Sequence, residues 1–275
     1  MIKEHYGITQ WPDEKEIYEK MDRLVREPLH PIKPEAMQRY LRYFDEKCQG
    51  SHAMIEEAKK DIPGGVQHNL AFNYPFPLVI TKAEGAYLYD IDGNRYVDYL
   101  QAGGPTLLGS NYEPVNRKVW EVVRESGPVT GLFHPYEMKL AEKIRECMPW
   151  VEMYRCLASG TEADMVAIRI ARTYTGKERI VKVGGAYHGW SDQLVYSLHI
   201  PYTKTFEAHG IPKDVSANTG EFFPGDVESL RRVLEENEKH GGTAAVLIEP
   251  FGPESGTRPV ALDFAAKVRA LCDEF

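Results

Sequence analysis

The chain has 275 residues, 43% of them hydrophobic and 27% charged, an ordinary balance for a globular protein of one large domain or two smaller ones. A net charge of −8 without a clustered basic stretch argues against nucleic-acid binding, and no apolar run approaches the roughly 20 residues of a membrane span. Four scattered cysteines, Cys48, Cys147, Cys156 and Cys272, show no metal-ligand spacing and point to reduced thiols in a cytoplasmic protein; the polar, acidic start is not a signal peptide.

Residues 1–61 are expected to form a helical N-terminal arm. Within it, Asp13–Glu27 places Ile17, Met21, Leu24 and Val25 on one stripe, and Pro34–Lys60 is charged with scattered aromatics. Pro63-Gly64-Gly65 breaks that pattern. Residues 62–110 are expected to form the first part of a small β-containing domain: Gly85–Asp90 and Arg95–Leu100 alternate around an Asp92-Gly93 hairpin signal, and the glycine-rich Gln101–Ser110 crosses onward. From residue 111 to 275 helices and strands alternate. Pro114–Ser126 and Glu137–Cys147 are predicted helices, and Tyr154–Ala158 is a predicted strand. Thr161–Tyr174 follows as a helix with Ala163, Val166, Ala167, Ile170, Ala171 and Tyr174 on one face. Arg179–Val183 is the next strand, and Asp226–His240 a helix capped by Asp226 and stopped by Gly241-Gly242. Ala244–Glu249 is a strand apolar enough to be buried on both faces, and Ala261–Phe275 a last helix. Such alternation specifies an α/β fold with a mainly parallel sheet covered by helices. No strand follows the last helix, and the chain is therefore expected to be an incomplete portion of a longer protein.

Chemistry concentrates where predicted strands end. Ser159-Gly160-Thr161-Glu162 fits the S-x-x-E capping box, which by itself only starts a helix. Set between a strand and a helix, the same turn offers free N–H groups, the positive end of the helix dipole and two hydroxyls to a phosphate. Gly184–Gly189 (GGAYHG) ends the next strand. Tyr187 is either a core aromatic or a stacking shelf for a flat ring, and His188 either a satisfied loop histidine or part of that shelf. Glu249, followed by Pro250, is either solvated at the sheet edge or aimed into a cleft. A dinucleotide fingerprint, a P-loop and a metal-ligand spacing are all missing from these turns.

These stretches together resemble the class III aminotransferases, fold-type-I enzymes that use pyridoxal 5'-phosphate, and within them the glutamate-1-semialdehyde aminomutase-like subgroup. The matching segments are Ile62–Val66 (IPGGV), Glu84–Tyr99 (EGAYLYDIDGNRYVDY), Gly104–Gly109 (GPTLLG), Ser159–Ala163 (SGTEA), Ala167–Gly176 (AIRIARTYTG), Tyr187–Gly189 (YHG) and Ile248–Pro250 (IEP), in an order that covers Ile62 to Phe275. The resemblance implies that Ser159, Gly160 and Thr161 hold the cofactor phosphate, that Tyr187 stacks on the pyridine ring with His188 beside it, and that Glu249 lies near the phenolic edge. It also implies a homodimer acting on a small-molecule amino donor and a carbonyl acceptor, with aminomutase or racemase variants; a non-catalytic phosphate-ligand module is the alternative.

Two family features have no match here. The aspartate facing the pyridine nitrogen and the Schiff-base lysine are expected beyond Phe275, so no catalytic residue is assigned within the chain. The aminomutases also carry an arginine soon after the IPGGV-like stretch that grips the substrate carboxylate. Gln67–Phe72 (QHNLAF) has none, and nearby Phe72, Tyr74 and Phe76 suit an apolar or aromatic amine or amino acid instead, with core packing expected for at least one of them.

Overall fold

A computed structural model describes residues 13–127, 131–195, 209–253 and 258–275. The first 12 residues of the arm, considered above, lie outside them. The chain divides into two compact units, one of residues 28–140 and one of residues 13–27 with 141–275.

The first helix, α1 (Glu14–Arg26), belongs to the second unit. Asp13 caps it by accepting from the Lys15 and Glu16 N–H groups. Its Tyr18 is half-buried beside Arg258, and burial pushes the phenol up.

The unit of residues 28–140 begins with α2 (Pro34–Lys47) and α3 (Gln49–Ala58). The helical character expected of this part of the arm is present as two helices divided at Cys48, whose φ of −126° lies outside helical geometry. The break lets the Asp92 carboxylate accept from the N–H groups of Gly50 at 2.6 Å and Ser51 at 2.9 Å, capping α3 from more than forty residues away. Asp92 itself lies in the hairpin that joins β2 (Tyr87–Asp90) to β3 (Arg95–Val97), with β1 (Ile80–Glu84) completing an antiparallel sheet of order β1-β2-β3. The buried Asp90 carboxylate holds that turn, accepting from the Asp92 and Asn94 N–H groups, the Asn94 amide and the Tyr96 hydroxyl. Phe76 is a core residue here, stacked on His52 at 4.5 Å and edge-on to Phe44; Phe72 and Tyr74 are exposed. The unit also contains α4 (Glu113–Ser126), and α5 (Pro135–Cys147) carries the chain onward.

In the second unit α6 (Gly160–Thr175) leads into β4 (Arg179–Val183), followed by short α7 (Asp192–Val195) and α8 (Lys213–Ser216), β5 (Thr219–Phe222), α9 (Val227–Glu238), β6 (Thr243–Leu247) and α10 (Phe264–Glu274). The sheet has order β5-β4-β6, and β4 pairs in parallel with both neighbours. Alternation along β4 explains the layers. Val181 and Val183 pack with Phe222, Leu230, Leu234, Phe264, Val268 and Leu271 on the α9 and α10 side. Ile180 packs with Ile168 of α6 and Leu194 of α7 on the other. The α/β architecture and parallel sheet expected from the sequence are present.

Three details differ from expectation. Tyr154–Ala158 forms no strand: no described strand pairs with it and most of its residues are exposed. Among the described strands, β6 is an edge strand, so it is half-buried throughout, and the strand buried on both faces is β4. On α6 the sheet-facing stripe is Thr161, Asp164, Ile168 and Ala171; of the predicted face only Ala171 lies on it, and Ala163, Val166, Ala167, Ile170 and Tyr174 are exposed. The helix is apolar on more than one side, so periodicity alone picks the stronger stripe rather than the one the sheet covers.

Candidate functional site

Parallel pairing puts the C-terminal ends of β4 and β6 at one edge of the sheet, where α/β folds leave open backbone groups for ligands. Lys182 is in register with Leu247, so the Gly184–Gly189 turn and Glu249 emerge side by side.

The N-terminus of α6 reaches the same edge. Ser159 has extended backbone (φ −150°, ψ 161°) and caps the helix, its Oγ accepting from the Glu162 N–H at 3.2 Å. Its hydroxyl donates to the Glu162 carboxylate at 3.4 Å, so the Ser159 half of the capping box is formed and Glu162 contacts the hydroxyl of the cap. The Ser159 carbonyl accepts from Ala163. Among the described residues, the Gly160 and Thr161 N–H groups are left without an acceptor, which makes them the two donors at the positive helix end. A Cβ placed on Gly160 would meet no heavy atom within 4 Å, so the approach to these donors is open.

The two turns touch. Gly189 has φ +85°, and a Cβ there would stand 2.8 Å from the Thr161 Cα and collide with the Thr161 hydroxyl. Only a residue without a side chain lets the YHG turn lie against the first turn of α6. The same turn buries Ala186 and leaves Tyr187 exposed.

His188 is half-buried, and its Nε2 is sealed from solvent with no hydrogen-bond partner among the described residues. Burial, reinforced by the neighbouring Lys182 ammonium, holds the imidazole below its ordinary pKa, so it is neutral near pH 7. Lys182 itself is wholly buried in the middle of β4. Its Nζ donates to the carbonyls of Ala186 at 3.2 Å and Leu194 at 3.0 Å. Desolvation lowers its pKa to about 8 against the opposing pull of Glu221. Sequence reasoning passed over Lys182, although one charged residue inside the apolar strand RIVKV was the available signal.

Ser159, Gly160, Thr161, Tyr187, His188 and Glu249 all belong to one unit, and the Thr161–Gly189 contact joins the first five into one surface. A helix N-terminus with open donors, an exposed tyrosine and a neutral, half-buried imidazole therefore lie within one unit. No groups of metal-binding side chains occur among the described residues, and no described helix is long and apolar enough to cross a membrane.

The class III aminotransferase family model matches residues 70–275, and the chain belongs to that family. Among curated relatives, a glutamate-1-semialdehyde 2,1-aminomutase from Chlorobium limicola is 37% identical over 234 residues, 82% of this chain and 53% of its own. An omega-transaminase from Sphaerobacter thermophilus superimposes with a TM-score of 0.76 at 28% identity, over 84% of this chain and 54% of its own. A glutamate-1-semialdehyde aminomutase from Pseudomonas aeruginosa PAO1, solved in complex with PMP, gives 0.74 at 25% identity, over 86% and 52%. The chain spans about half the length of the curated relatives it matches.

Proposed function

We propose that the natural protein containing this chain is a pyridoxal-phosphate-dependent aminotransferase that moves an amino group between a small amino compound and a carbonyl acceptor. The observation that supports this reading is the seating of Gly189 on Thr161, which brings the turn carrying Tyr187 against the first turn of a helix at the carboxyl edge of a parallel sheet. The residues present fit the cofactor. Gly160 and Thr161 N–H groups receive the phosphate with the Thr161 hydroxyl, while Ser159 keeps the helix start in place. Tyr187 would stack on the ring, a contact worth about 1 kcal/mol. His188, held neutral, adds no cationic charge beside that ring. Glu249, at the same edge of the sheet, would face the ring. When bound, pyridoxal phosphate supplies a carbonyl that takes up the amino group and a ring that spreads the charge released at the substrate carbon.

The lysine that tethers the cofactor and the aspartate that faces the pyridine nitrogen belong, on this reading, to sequence beyond Phe275. The enzyme acts as a homodimer. The missing arginine at Gln67–Phe72 favours a substrate other than glutamate-1-semialdehyde, with Phe72 and Tyr74 as exposed apolar candidates for its recognition. Calorimetric titration of the natural protein with pyridoxamine 5'-phosphate and with unphosphorylated pyridoxamine tests the site directly. The phosphate is expected to tighten binding at least a hundredfold, and equal affinities would overturn the reading. Dependence of turnover on an added carbonyl acceptor distinguishes transfer from isomerisation.

A further inference from the structure

A lysine buried in the central strand of a sheet is costly unless its ammonium is used. Lys182 faces the α6 and α7 side of β4, and two of its donors go to carbonyls from two different segments: Ala186, in the turn that carries Tyr187 and His188, and Leu194, in α7. Both carbonyls are buried beside it, so they lose a partner if the ammonium is removed. The titratable groups acting on it are Glu221 of the adjacent strand β5, in register with it, and His188 of the turn.

We propose that Lys182 is the positioning residue of the cofactor site: its ammonium ties the Gly184–Gly189 turn and α7 to the end of β4 and thereby sets the plane in which Tyr187 is presented. The proposal rests on the cofactor reading above. A backbone with two consecutive glycines, Gly184 and Gly185, has many conformations open to it, and the Lys182–Ala186 bond selects one. The bond to Leu194 anchors the return of the chain, so the turn is held at both ends. The same ammonium stands near His188 and opposes its protonation. A lysine that only filled the core would need neither carbonyl, and methionine would serve as well.

The test uses the natural full-length protein and its Lys182→Met, Lys182→Gln, Tyr187→Ala and Lys182→Met/Tyr187→Ala variants, with pyridoxamine 5'-phosphate as the probe. Two quantities are measured: dissociation constants by calorimetry, and the His188 pKa by nuclear magnetic resonance. K182M is expected to weaken binding at least tenfold and to raise the His188 pKa, with Tyr187→Ala adding little in the double variant because the shelf is already misplaced. K182Q retains amide donors, so it is expected to bind within threefold of wild type while the His188 pKa still rises. A folded K182M that binds within twofold of wild type with His188 unmoved overturns the proposal, as does an additive double variant. If neither Lys182 variant folds, the Nζ signal of the unaltered protein decides: a slowly exchanging, hydrogen-bonded ammonium supports the proposal and a rapidly exchanging one overturns it. If Tyr187→Ala binds like wild type while K182M still shifts His188, the stacking reading fails and the tether between Lys182 and the turn stands.

Discussion

Gly189 has two independent reasons to be glycine, a left-handed φ and the Thr161 backbone against its Cα. Gly189→Ala is expected to cost about 2–4 kcal/mol through strain and overpacking and to weaken pyridoxamine 5'-phosphate at least tenfold, read by chemical denaturation and calorimetry. Gly160 differs: open space surrounds its Cα, so Gly160→Ala is expected to leave stability within about 0.5 kcal/mol and to affect only ligand approach. Lys182 gives a pH signature. Its folded pKa of about 8 lies below the ordinary 10.5, so between those values the unfolded chain binds more protons and stability rises with pH. The wild-type protein is therefore expected to gain about 3 kcal/mol relative to K182M between pH 8 and 10.5, in paired denaturant titrations that cancel every other group. His188 has the same sign at lower pH: with its pKa depressed, its contribution is complete above the unfolded value and declines on acidification through that region. The turns holding Tyr187 and Glu249 were legible from glycines and strand ends, whereas the Ser159 turn was legible only as a helix cap, since the strand expected before it does not form. Lys182 and the Gly189 contact were not legible, because burial and a close backbone approach exist only between segments distant in sequence.

Helix ends were the elements read best. Asp226 does cap α9, its carboxylate accepting from the Ser229 N–H at 2.9 Å, and Asp226→Ala is expected to cost about 1 kcal/mol by denaturation. The break at Cys48 was invisible, since its cause is Asp92, an acceptor in another element. Asp92→Ala is expected to cost about 1–2 kcal/mol, visible as faster amide exchange in the first turn of α3. Helix α6 shows where pattern reasoning chooses wrongly: Ile168 is its buried anchor, yet Ile170 and Tyr174 form the more apolar stripe. Tyr154–Ala158 shows the related failure for strands, where an apolar run stays irregular without a neighbour to share a ladder.

For the whole molecule, the rhythm of helices and strands specified a parallel sheet, and β5-β4-β6 is one. Membership of the class III aminotransferases and the α/β architecture follow from segments spread over most of the chain. The dimer proposed for the natural protein is expected to sediment at twice the mass of its chain at micromolar concentration, and a monomer under those conditions would refute it.

The sequence by itself determined the class of fold, the family and the capped start of α6, because periodicity, capping residues and glycines act over a few neighbours in the chain. Tertiary structure alone decided which strand lies at the centre, which face of α6 is covered, and that Thr161 and Gly189 touch above a buried ammonium. Those outcomes depend on which distant segments exclude water from one another, and no local pattern carries that information.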